Sequence, residues 1–64
     1  MTRSDLEAYI ALNGYTQAQG RIGLDVYRDK PGRRAKRELT VSATQVHVYD
    51  LTKGRRRIES WSLT

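Results

Sequence analysis

The chain has no cysteine and only one histidine. Disulfides, thiolate metal sites and cysteine nucleophiles are therefore excluded. The remaining carboxylate ligands Asp25, Asp29, Asp50 and Glu59 lack the spacing of a cation site, so no metal is expected. There is also no nucleophile elbow, no glycine-rich phosphate loop and no carboxylate pair in a cleft. Neither a cofactor nor catalysis is expected on that ground. Apolar runs are short, and Asp5 and Glu7 interrupt the opening "MTRSDLEAYIAL", which speaks against a signal peptide and a membrane span. Together with the lack of cysteine, this makes a cytoplasmic location the expectation.

Lysine and arginine, by contrast, are plentiful. The 64 residues carry a net charge of +5, with 30% charged and 38% hydrophobic residues. This is too apolar for a disordered chain and short enough to be one domain, residues 1–64. The charge is bunched. Lys30, Arg33, Arg34, Lys36 and Arg37 fall within "RDKPGRRAKRE", and Lys53, Arg55, Arg56 and Arg57 within "DLTKGRRRIES", each run built around a glycine turn.

Ser4 and Glu7 have the spacing of a capping box and predict a helix over 5–13. Leu6, Tyr9, Ile10 and Asn13 share one of its faces, and Asn13-Gly14 is a left-handed stop against which Tyr15 packs. "TQAQG" reads as a polar connector. From Ile22 the period changes to two, with Ile22, Leu24 and Val26 alternating with polar positions, the mark of a strand. Further strands are expected at 36–42, 45–51 and 56–63. Lys30-Pro31-Gly32-Arg33 has the composition of a type II turn that sets Leu24 and Val26 against Val41 and Leu39. A loop at 42–45 pairs Val41 with Val46, and Thr52-Lys53-Gly54 pairs Val48 with Ile58 and Asp50 with Arg56. The fold class is α+β, a short N-terminal helix packed on one face of a four-stranded antiparallel meander. Its buried face is Ile22, Leu24, Val26, Leu39, Val41, Val46, Val48 and Ile58.

In a meander the first and third turns share an end, so both basic runs meet there. That cluster suits a polyanion and makes the nine cations Lys30, Arg33, Arg34, Lys36, Arg37, Lys53, Arg55, Arg56 and Arg57 the candidate nucleic-acid contacts. The same parity puts Tyr27, His47, Tyr49, Trp61 and Leu63 on the sheet face away from the helix, with His47 opposite Glu59. There Tyr27, His47, Tyr49 and Trp61 are a stacking or partner surface. The reading is a small basic regulatory protein that binds DNA or RNA. Two others stay open: an inhibitor or adaptor of the kind carried by phages and mobile elements, docking on an acidic surface of a host enzyme, and a homo-oligomeric assembly protein such as a homodimer.

Overall fold

The computed structural model describes all 64 residues. A helix, α1 (Arg3–Leu12), precedes five strands: β1 (Thr16–Arg21), β2 (Leu24–Arg28), β3 (Arg37–Val41), β4 (Gln45–Asp50) and β5 (Arg56–Ser62). They form one antiparallel sheet in chain order, so the α+β class and the meander hold, with five strands in place of four.

The helix starts two residues earlier than expected. Thr2, not Ser4, is the cap: its hydroxyl accepts from the Asp5 N–H at 3.1 Å, and the Asp5 carboxylate accepts from the Thr2 N–H at 3.1 Å. Ser4 and Glu7 fit the same pattern, but the earlier box is reinforced by the other end of the chain. The Met1 amine donates to the Ser62 carbonyl at 2.9 Å, and the Thr64 N–H donates to the Met1 carbonyl at 2.9 Å. At the C-terminus the stop is as read. With Gly14 at φ 67, the Tyr15 N–H reaches the Ile10 carbonyl at 3.0 Å and the Gly14 N–H reaches Ala11 at 3.2 Å. These two bonds define a Schellman motif, which folds Tyr15 back to stack on Tyr9.

Leu6 and Tyr15 join Leu39, Val41, Val46 and Val48 in the core, on the sheet face beneath α1. Tyr9, Ile10, Tyr27, Trp61 and Leu63 pack around it.

Three departures from the sequence reading concern strand pairing. First, the polar connector is itself a strand: β1 pairs with β2 through Thr16↔Arg28, Gln17↔Tyr27 and Ala18↔Val26. Its side chains are almost all exposed, so no apolar alternation marks it. Ile22 is consequently at the tip of the two-residue turn Ile22-Gly23 and fully exposed, not in the core.

Second, β2 and β3 pair one residue away from the expected register, with Asp25↔Val41, Val26↔Thr40 and Tyr27↔Leu39. Pro31 (φ −74, ψ 150) and Gly32 (φ 60) make the expected bend, but the chain then adds a 3-10 turn at Gly32–Arg34. The loop closes where the Asp29 carboxylate accepts from the Lys36 and Arg37 N–H groups at 3.0 and 3.1 Å. A slip of one residue exchanges the faces of a strand. Tyr27 therefore packs against the core, and Leu24 and Val26 turn to the face away from α1.

Third, β5 is bulged. Asp50↔Arg56 and Tyr49↔Arg57 pair as expected from the tip, but the next pair is Val48↔Glu59, leaving Ile58 unpaired and 37% exposed. Beyond the bulge every side chain changes face. Trp61 and Leu63 come to the helix side, and His47 faces Ser60 instead of Glu59. The middle hairpin is as read, Val41↔Val46. Ser42 closes it, its hydroxyl accepting from the Gln45 N–H at 3.0 Å, the task that Asn or Asp commonly performs in a turn.

Candidate nucleic-acid interface

The meander brings the loop after β2, residues 29–36, beside the loop after β4, residues 51–55. The two are stitched together where the Leu51 N–H donates to the Lys36 carbonyl at 2.9 Å, next to the Arg37↔Asp50 pair. Between them lies an open cleft of about 610 Å³, walled by Lys30, Arg33, Arg34 and Lys36 on one side and by Leu51 and Thr52 on the other.

Only Asp29 within these loops and Asp50 at the end of β4 bring carboxylates here, and both are engaged in shaping the loops. Asp29 closes its loop through the Lys36 and Arg37 N–H groups. Asp50 accepts from the Thr52 N–H at 2.9 Å and from the Thr52 hydroxyl at 2.8 Å. Those two bonds hold the Asp50 carboxyl below the usual carboxylate range, and the charges of Arg37 and Arg56 add to the effect. The only salt bridges of the molecule are Arg28–Glu38 and Arg55–Glu38. Lys30, Arg33, Arg34, Lys36, Arg37, Lys53, Arg56 and Arg57 are thus free of ion pairs.

Arg55 departs from this group. Its guanidinium donates to Glu38 at 3.1 Å and lies over the Tyr49 ring, 3.9 Å from the centroid. Sequence reasoning missed the resulting Arg28–Glu38–Arg55 cluster, because Arg28 meets Glu38 only in the observed β2–β3 register.

The aromatic surface is divided. His47 and Tyr49 stay on the face away from α1, edge to face at 6.4 Å, with His47 Nδ1 bonded to the Ser60 hydroxyl at 2.8 Å. Tyr27 packs against the core, and Trp61 is edge-on to Tyr9 at 5.3 Å. The bulge and the shifted register thus put Tyr27 and Trp61 on one face of the sheet and His47 and Tyr49 on the other, and Arg55 occupies a face of Tyr49.

No helix is long and apolar enough to cross a membrane. No family model, curated protein or solved structure matches this chain.

Proposed function

We propose that the protein binds nucleic acid by its phosphate backbone, using the end of the sheet where the two basic loops meet. The observation that carries this reading is the Leu51-to-Lys36 hydrogen bond, which fixes the loops side by side with eight cations that make no salt bridge. Like charges held this closely repel one another in the free protein, and a polyanion removes that cost on binding. Arginines without ion pairs keep their guanidinium donors for phosphate oxygens, which they engage in pairs.

A duplex is the preferred form. Single-strand binders stack bases on open aromatic rings, and here Trp61 and Tyr27 are turned to the core while Tyr49 is covered by Arg55.

The test is a double variant, Arg33→Gln with Arg34→Gln, in two exposed residues of the 3-10 turn. Duplex affinity is expected to fall, with the slope of log K against log salt decreasing by about 1.8, roughly 0.9 for each phosphate no longer neutralised. Circular dichroism should stay that of the parent. An unchanged slope would refute the basic end as the binding surface. If the parent protein itself shows no salt-dependent binding, docking on an acidic protein surface replaces this reading.

A further inference from the structure

On the sheet face away from α1, a groove of about 320 Å³ runs between Arg21, Arg28 and Arg55 over Val26, Glu38 and Thr40. No layer covers this face, yet its floor is buried, Glu38 at 6% and Thr40 at 2% exposure. The arginines supply the shielding. Arg28 donates through Nε and Nη2 to one Glu38 oxygen at 3.0 and 2.9 Å, and Arg55 donates through Nε to the other oxygen at 3.1 Å. Each guanidinium thus turns one edge to Glu38 and leaves its Nη1 without a protein acceptor. Both remain accessible, with side-chain exposures of 40% and 54%. Arg21 makes no ion pair, so three arginines face a single carboxylate and the groove stays cationic.

Arg55 belongs to the loop at the basic end and to this groove at once, so the two cationic surfaces join around a corner of the molecule. A corner that presents cations in two directions meets a backbone on each side when it is seated in a duplex groove. The major groove is about 12 Å wide and has a backbone along either side.

We infer that the arginine groove holds the second backbone of the duplex whose first backbone lies against the basic end. Glu38 is the positioning residue that keeps Arg28 and Arg55 apart and oriented. This inference rests on the nucleic-acid reading above and adds to it a second contact and a requirement for two strands.

Arg21→Gln tests it, because the Arg21 side chain is exposed and makes no ion pair, and circular dichroism of the variant should stay that of the parent. Binding of a short duplex and of one of its single strands is measured by fluorescence anisotropy across salt concentrations, with Arg33→Gln as the comparison. Arg21→Gln is expected to lower the duplex slope by about 0.9 and leave single-strand binding unchanged. Arg33→Gln is expected to weaken both. An unchanged duplex slope for Arg21→Gln, or an equal loss on the single strand, overturns the second contact. That result is separable from failure of the underlying reading, in which the parent protein does not bind duplex at all.

Discussion

Glu38 lies on an uncovered sheet face and is nevertheless buried, because Arg28 and Arg55 close over its carboxylate. A buried charge without partners is costly, whereas charge-assisted hydrogen bonds to two partly exposed arginines are moderated by solvent. Glu38→Gln is therefore expected to lower stability by roughly 1 to 2 kcal/mol in urea denaturation, a loss below about 0.5 kcal/mol being the size of an ordinary surface change. Two other carboxylates contribute to the acid sensitivity. Asp5 is held below the ordinary 3.8 by the Thr2 N–H and hydroxyl, as Asp50 is by those of Thr52. The unfolded chain takes up these protons first as pH falls, so their contribution is complete above 3.8 and is lost as pH drops through the lower folded values. Melting temperature should fall across that window, and Asp5→Asn should flatten part of the fall. At the alkaline limit, burial is the main cause that pushes the Tyr15 phenol from 10.0 up to about 12, with Tyr9 adding to the shift. The folded state holds this proton more tightly, so stability is intact below pH 10 and declines as pH rises toward 12. Phenolate absorbance followed during unfolding should show Tyr15 ionising with loss of the fold.

At the scale of the elements, β1 depends on one glycine. A Cβ at Gly20 would lie 2.5 Å from the Leu24 carbonyl oxygen, and backbone cannot yield as a side-chain tip does. Gly20→Ala should cost about 1 to 3 kcal/mol, as overpacking does, and loosen the β1–β2 amides in hydrogen exchange. The bulge at Ile58 carries a second prediction. Trp61 is packed against Tyr9, so its emission should change on unfolding and be insensitive to bound oligonucleotide; quenching by nucleic acid would return it to the open face. These same features mark where the sequence is legible. The Asn13-Gly14 stop and the Asp50↔Arg56 pairing can be read because each is a local pattern with a single solution, and the turn at 42–45 because the apolar positions change from odd to even across it. β1 is hidden because an exposed edge strand needs no apolar alternation. The face of Trp61 is hidden because one unpaired residue reverses parity without a sequence sign. The basic end is legible all the same, since which loops share an end follows from strand order and is indifferent to a slip of one residue.

The whole molecule is electrically lopsided. The segments 29–37 and 50–57 hold nine cations and two aspartates, more positive charge than the net +5 of the chain, while the rest has five carboxylates against Arg3, Arg21 and Arg28. Such a distribution orients the protein in the field of a polyanion before contact and speeds association at low salt. The small core beneath α1, with Leu39, Val46 and Val48 its largest fully buried side chains, leaves little margin for charge repulsion. A polyanion that relieves the repulsion should therefore also raise the melting temperature. The most direct test of the central claim is the salt dependence of duplex binding by the unaltered protein. Log K should fall steeply with log salt, by about 0.9 for each of several phosphates, with the duplex bound more tightly than either of its strands. A shallow slope of less than about 1, the value for barely one phosphate, would contradict it.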